Sequence, residues 1–294
     1  MFFIIVILNL KMIIDLFQII VSYSQFKIQI LLCNLNKECY DNIYIYELNN
    51  EKINDVVLKQ IKFKYLKKLY AWDKKNIKNI DHLVNLEELN CSGSYCGIAD
   101  NNIKELYKLK KLNADYNKKI KYINHLVNLE ELNCSWDCGI SDDNIKELFN
   151  LKILYANYNE KIKNINHLIN LEELYCVSFC GISDDNIKEL LKLKILCAHY
   201  NKKIKNIDHL VNLEELDCSG ICGISDDNIK ELFKLRILNA SRNEKIKNIN
   251  HLVNLEKLYC QGNCSISDDN IKGLFKLKKL DAFLNLRVTI KIEE

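Results

Sequence analysis

Leu171-Glu172-Glu173-Leu174-Tyr175-Cys176, followed three residues later by Cys180-Gly181-Ile182-Ser183-Asp184-Asp185-Asn186-Ile187-Lys188-Glu189-Leu190, is the stretch whose reading decides the fold. The same string reopens at Leu129, Leu213 and Leu255, 42 residues apart, and at Leu86, one residue further back because of an insertion between Cys91 and Cys96. Each long period splits in two. A second unit type opens at Leu66, Leu109, Leu151, Leu193, Leu235 and Leu277, and reads Leu109-x-x-Leu112-x-Ala114-x-x-Asn117-x-x-Ile120-x-x-Ile123-x-x-Leu126. Eleven units of 20 to 23 residues therefore alternate, and self-similarity at such a period marks a solenoid whose units bury their apolar sides only by stacking.

The shared opening places apolar residues at alternate positions. Leu174 and Cys176 then point inward from a short strand while Glu173 and Tyr175 point outward. In this unit type Ser183 is expected to cap a short helix, with Asp184 and Asp185 at its positive end and Ile187 and Leu190 on one face. The other type has no such cap, and its period-three residues Ile120, Ile123 and Leu126 suit tighter turns. The fold class expected is α/β, a solenoid preceded by a small helical segment.

The 294-residue chain is 48% hydrophobic and carries a net charge of +3, with Lys and Glu alternating rather than blocked, which argues against both a disordered tail and a polybasic nucleic-acid binder. The 13 cysteines are odd in number and the chain is long for a disulfide scaffold, so reduced thiols and an intracellular setting are expected. Phe2 to Leu8 resembles the apolar core of a signal peptide, but no basic residue precedes it and no small-residue cleavage pattern follows. Asn9, Lys11 and Asp15 interrupt the run before it reaches the roughly 20 apolar residues of a bilayer span.

From Leu66 to the carboxyl end the units resemble the leucine-rich-repeat family, whose strands form the parallel concave sheet of a horseshoe and whose members bind proteins. Asn117, Asn159, Asn201, Asn243 and Asn285 stand where that family carries an asparagine ladder, implying bonds from their amides to neighbouring backbone. The other unit type is similar to the family's cysteine-containing subclass, found in substrate-recognition subunits of ubiquitin ligases. It departs in that Cys180 precedes Ile182 by two residues rather than three. Residues 41–65 read as a worn copy, with Ile53 to Leu58 following the layout of Ile182 to Ile187, and are expected to cap the sheet edge. Residues 66–294 form the solenoid.

Residues 1–40 are read as a helical segment. Their order is similar to the F-box, which docks a chain onto the adaptor of cullin-RING ubiquitin ligases; the resemblance assigns adaptor contacts to Asp15, Leu16, Ile19, Ile20 and Tyr23. Ile13 stands where that motif has proline, and the alternative is a helical cap that only seals the first repeat. The whole chain, rich in Ile, Asn and Lys, looks like repeat proteins of giant DNA viruses of amoebae, which implies a host-cell setting.

No catalytic residue, cofactor or metal site is expected. The cysteine pairs, such as Cys176 with Cys180, recur about 10 Å apart, too far to share an ion, and the same holds for the column His82, His125, His167, His209 and His251. Lys118, Lys119, Lys161, Lys202, Lys203 and Lys245 form a basic rail and Asp142, Asp143, Asp184, Asp185, Asp226 and Asp227 an acidic one, both read as solvated faces, so no nucleic acid is expected. Outward strand positions carry aromatics that the scaffold does not require. Trp72, Tyr155, Tyr175, His199 and Tyr259 are expected to contact a protein target on the concave sheet, and the row Glu88, Glu131, Glu173 and Glu215 predicts a partner of basic character. The function expected is a non-enzymatic recognition subunit of a cullin-RING ligase, with a free-standing repeat scaffold as the alternative.

Overall fold

The computed structural model describes residues 47–48, 54–59 and 63–291. The adaptor-contact assignments at Asp15, Leu16, Ile19, Ile20 and Tyr23 lie outside the described residues. The chain forms two compact units, residues 1–129 and 130–294. Among the described residues, no helix is long and apolar enough to cross a membrane.

In the first unit β1 (Glu47–Leu48), β2 (Lys68–Tyr70), β3 (Glu88–Asn90) and β4 (Lys111–Asn113) pair in chain order, all parallel. The second unit continues the pattern with β5 (Glu131–Asn133), β6 (Ile153–Tyr155), β7 (Glu173–Tyr175), β8 (Ile195–Cys197), β9 (Glu215–Asp217), β10 (Ile237–Asn239), β11 (Lys257–Tyr259) and β12 (Lys279–Asp281). Register follows the repeat, with Leu154 beside Leu174 and Leu174 beside Leu196. A strand of three residues is short because only its central leucine needs to be buried. Hydrogen bonds extend the ladder past it: the Cys176 N–H donates to Cys197 O at 2.9 Å and that of Ser178 to His199 O at 2.8 Å.

After the strand the chain turns through left-handed backbone at Tyr158 (φ 57), Ser178 (φ 58), Tyr200 (φ 54) and Arg242 (φ 58), with glycine at 220 and 262. It then descends into an arc. Where a short helix was expected, the first unit has α-helical turns at α1 (Asp55–Leu58) and α2 (Asp100–Ile103), and the second has one turn of 3-10 helix at Asp142–Asn144, Asp184–Asn186 and Asp226–Asn228 and an α-helical turn at α3 (Asp268–Ile271). Ser183 does not cap by accepting a backbone proton. Its hydroxyl donates to Asn186 Oδ1 at 2.9 Å, and the same oxygen accepts the Ser183 N–H, so the amide of Asn186 closes a turn too tight for the serine to reach across. The opposite arcs are successive three-residue turns, with Leu126 N–H on Ile123 O and Leu129 N–H on Leu126 O.

The core is a stack of fully buried columns: strand leucines such as Leu174 and Leu196, arc residues such as Ile162 and Ile165, and the cysteines of each pair. Burying each leucine or isoleucine contributes about 1.5–3 kcal/mol before ordering entropy is counted. The asparagine column runs through this core. Asn201 is fully buried; its amide donates to Cys176 O at 3.0 Å and Ile182 O at 3.3 Å, and its Oδ1 accepts the Lys203 N–H at 2.9 Å. Gly181 fits where nothing larger does, since a Cβ there would lie 2.4 Å from Ile162 O and 2.7 Å from Glu160 O.

Two outcomes are expected. Asn201→Ala removes the amide bonds to Cys176 O and Ile182 O and the acceptor of the part-buried Lys203 N–H and lowers the unfolding free energy by ~1–3 kcal/mol, visible as a lower urea midpoint; an unmoved midpoint contradicts the ladder's role. Gly181→Ala costs more than about 1 kcal/mol, whereas Gly273→Ala, whose Cβ would meet nothing within 4 Å, stays within about 0.5 kcal/mol.

Candidate functional site

Each strand leaves its two outer residues on the open face, and the residue two further on continues the same surface. In the second unit the first strand position reads Glu131, Ile153, Glu173, Ile195, Glu215 and Ile237 across β5 to β10, so carboxylates and branched apolar side chains alternate. A hollow of about 320 Å³ lies here, where Ile195 stands between Glu173 and Glu215 and Ile237 between Glu215 and Lys257. Burial pushes the Glu215 carboxyl up; Lys257 pulls it down, and Asp217 and Glu173 add repulsion that raises it.

The expected contact residues separate into groups. Tyr155 and Tyr175 stack, with ring centroids 4.4 Å apart and planes at 13°, and the Tyr175 hydroxyl donates to Glu173 Oε2 at 3.0 Å. Burial, followed by Glu173, raises the Tyr175 phenol well above its ordinary range, so it stays a proton donor. His199 and Tyr259 line a second, polar hollow of about 290 Å³ with Ser219, Asn239 and Gln261. Lys279 Nζ stands 5.3 Å from the Tyr259 ring centroid. Trp72, 65% exposed, belongs to the first unit, so the five do not form one cluster within a unit.

Beside His199, the Ser219 hydroxyl has one proton, and an ionised carboxylate can only accept. Ser219 Oγ therefore donates to Asp217 Oδ1 at 2.5 Å and accepts from His199 Nδ1–H at 2.5 Å. In a nucleophilic site the imidazole takes the serine's proton; here it supplies one. The chain His199–Ser219–Asp217, anchored further by Asn239 Nδ2 on Asp217 Oδ2 at 3.0 Å, holds the imidazole in place on the strand face. Cys197, between Tyr175 and Asp217 in its row, has its thiol pushed up to about 12 by burial and then by Asp217, which leaves little thiolate for chemistry.

The repeated charges and paired thiols serve the scaffold. Lys119, Lys161, Lys203 and Lys245 donate to the carbonyls of Cys96, Cys138, Cys180 and Cys222. Asp142, Asp184 and Asp226 each accept two backbone N–H groups of the following unit. Each column histidine donates from Nε2 to a carbonyl of the preceding unit, His209 to Ile187 O at 3.2 Å among them. The Cys180 thiol donates to Cys176 O at 3.0 Å. The eleven described cysteines are free thiols.

One set of aromatics is not anticipated by strand alternation. In the second unit Trp136, Tyr158 and Tyr200 each follow a strand leucine by four residues, all at left-handed φ, as does Tyr116 in the first unit, and Trp136 stacks on Tyr158 with centroids 4.0 Å apart. The signal was their common offset, which strand alternation does not reach. In the first unit, Asp115 Oδ1 is buried with no hydrogen-bond partner, and burial raises its carboxyl to about 6 against the pull of the Tyr116 N–H. A folded value above the unfolded one of about 3.9 makes ionisation oppose folding. That penalty is absent below the unfolded value and complete above the folded one. Asp115→Asn is thus expected to raise the melting temperature at pH 7 to 8, with the gain shrinking as pH falls from about 6 toward 4; a gain independent of pH across that window contradicts the assignment.

No family model matches the chain, and no curated protein is similar to it. Solved structures are. An internalin, InlF from Listeria monocytogenes, is 23% identical over 84% of this chain and 82% of its own, with a TM-score of 0.58. The functional domain of InlJ from the same organism, described as including a cysteine ladder, is 21% identical with a TM-score of 0.59; it is matched over 84% of this chain, which spans 55% of its length. A leucine-rich-repeat protein of Leptospira interrogans is 19% identical over 84% of this chain and 74% of its own, with a TM-score of 0.55. At these identities the likeness defines the fold, and this chain is a leucine-rich-repeat solenoid.

Proposed function

We propose that the chain is a non-enzymatic binding module that holds a protein partner on its open strand face. The observation that carries this reading is the Tyr155–Tyr175 pair: two large aromatics at outward strand positions, fixed by stacking and by the bond to Glu173. Aromatics held this way lose little entropy on binding and anchor protein interfaces. His199 and Tyr259 extend the contact in the second unit, and Trp72 offers a separate anchor in the first. The alternation of Glu173 and Glu215 with Ile195 and Ile237 favours a partner with basic and aliphatic side chains. The order of donors at Ser219, the neutral thiol of Cys197 and the structural use of the repeated Lys, Asp and His side chains all favour binding over catalysis. Free thiols suit a reducing, intracellular compartment.

A role as substrate receptor of a cullin-RING ligase rests on residues 1–40 alone. The free-standing scaffold needs nothing beyond the repeats. Co-purification of the full chain with the ligase adaptor separates the two: a stoichiometric complex supports the receptor, and its absence leaves the scaffold.

Affinity capture with the full chain tests the strand face. Tyr155→Ala with Tyr175→Ala is expected to weaken capture of the wild-type partner at least tenfold, as two interface anchors of about 1–2 kcal/mol each imply. Exposed Asp143→Asn with Asp185→Asn should leave capture unchanged. Undiminished capture by the tyrosine variant, with its melting temperature intact, would falsify this reading.

A further inference from the structure

Two residues before each unit's opening leucine, in the turn leading into the strand, the second unit carries Phe149, Ile169, Leu191, Val211, Phe233, Val253 and Phe275. The first six are between 47% and 55% exposed, and Phe275 is 93% exposed. The stacking of the units does not require apolar groups here, because the leucine immediately before each of these residues, Leu148 or Leu232 for example, already fills the core. The side chains are held in place all the same: Phe149 meets His167 edge-on at 6.0 Å, and Phe233 meets His251 at 6.2 Å. Seven such groups, each in the turn leading into one of seven successive strands ~4.8 Å apart, form an apolar ridge that exposes on the order of 700 Å². That exceeds what a soluble monomer ordinarily leaves uncovered and approaches the roughly 800 Å² per partner of a stable interface.

We infer that this ridge is a self-association surface, covered by the ridge of a second copy of this chain running antiparallel to it. Three observations select that occupant. The period of a second copy matches by construction, which no unrelated helix or strand does over seven units. The ridge alternates in size, with Phe149, Leu191, Phe233 and Phe275 separated by the β-branched Ile169, Val211 and Val253, so two antiparallel ridges interdigitate when offset by an odd number of strands. Three residues further along, beside the ridge, runs the row Lys152, Glu172, Lys194, Glu214, Arg236, Glu256 and Lys278, which alternates in sign with the same parity. Its members already pair within the chain, Lys194 with Glu172 at 2.7 Å and Arg236 with Glu256 at 2.7 Å. The odd offset that sets large side chains against small ones also sets Lys against Glu across the interface. One two-fold axis passing midway between adjacent units satisfies both rows and closes the dimer.

Sedimentation velocity on the full chain from 1 to 100 μM tests this. The wild type is expected to be a dimer in that range, and Phe149→Glu with Phe233→Glu is expected to weaken association at least 100-fold while leaving the thermal melt unchanged, since both side chains are half exposed. Tyr155→Ala with Tyr175→Ala should remain dimeric, which keeps this surface distinct from the proposed partner face. A wild type that stays monomeric at 100 μM overturns the inference, as does a dimer that survives the double glutamate variant. Flotation of a monomeric wild type with phosphatidylcholine–phosphatidylserine vesicles, lost in that variant, would assign the ridge to a lipid surface instead.

Discussion

The arcs that return the chain from one strand to the next contain peptide groups that the sheet does not pair, and side chains of adjacent units pair many of them. Around the unit that begins at Leu171 the set is explicit. Asn201 bonds Cys176 O and Ile182 O, Lys203 bonds Cys180 O, His209 bonds Ile187 O, Asn212 bonds Leu191 O, and Asp184 receives the N–H groups of Lys205 and Asn206. Leaving any of these backbone groups dry and unpaired costs about 1–3 kcal/mol. Hydrophobic stacking supplies most of the favourable free energy, but it is indifferent to sliding one unit along the next. The polar straps fix the register.

All of those straps join a cysteine-containing unit to the asparagine-containing unit after it. The next junction is built differently. There the backbones approach closely: the Gly181 N–H donates to Asn159 O at 3.0 Å and that of Gly223 to Asn201 O at 3.1 Å, and a Cβ at Gly223 would stand 2.3 Å from Ile204 O. At Ser265, where the series departs from glycine, the hydroxyl donates to Glu244 O at 2.8 Å. Two kinds of junction therefore alternate: one carries the full set of side-chain straps, and the other combines close backbone approach with fewer side-chain bonds, such as Asn166 Nδ2 on Asp185 O at 2.7 Å and the Val177 N–H on Asn157 Oδ1 at 3.0 Å. The physical unit of this protein is the 42-residue pair, which explains why the copies match at that period and not at half of it. Removing a single unit would bring together two faces built for different sets of bonds and place like charges side by side in the Lys–Glu row.

Much of this was legible in the sequence. Alternation in LxxLx(Ala/Cys) gave the strands and their buried leucines, period three gave the tight arcs, and the asparagine position gave the ladder, because each is a local pattern with one steric solution. The charged rails were not legible as straps. Lys203 and Asp184 look solvated along the chain, and only the curl of the arc brings them onto the backbone of a neighbour. The proposed contact residues were legible as outward-facing but not as groups: Tyr155 and Tyr175 stand on adjacent strands and stack, whereas Trp72 belongs to the other compact unit. The ridge escaped for a related reason. In Leu232-Phe233-Lys234-Leu235 a reader expects the phenylalanine to join the core, yet the flanking leucines, three apart on a three-residue turn, occupy the inward direction and leave Phe233 outside.

That geometry also separates the surfaces on which binding can evolve. A strand leucine is fixed by the core and a strap residue by its neighbour's backbone, so substitution at either place is paid across a junction. The outer strand positions and the ridge carry neither duty. Across β5 to β10, the outer strand positions include Glu, Ile, Asn, Tyr, Cys and Asp at equivalent places, while the residues between them are leucine throughout. Variation confined to the face that stacking leaves free is what a scaffold needs if its stability and its specificity are to change independently. The ridge varies in size but remains apolar at every one of its seven positions. A surface that keeps one chemistry through successive duplications, beside another that changes residue type freely, points to two different occupants rather than one.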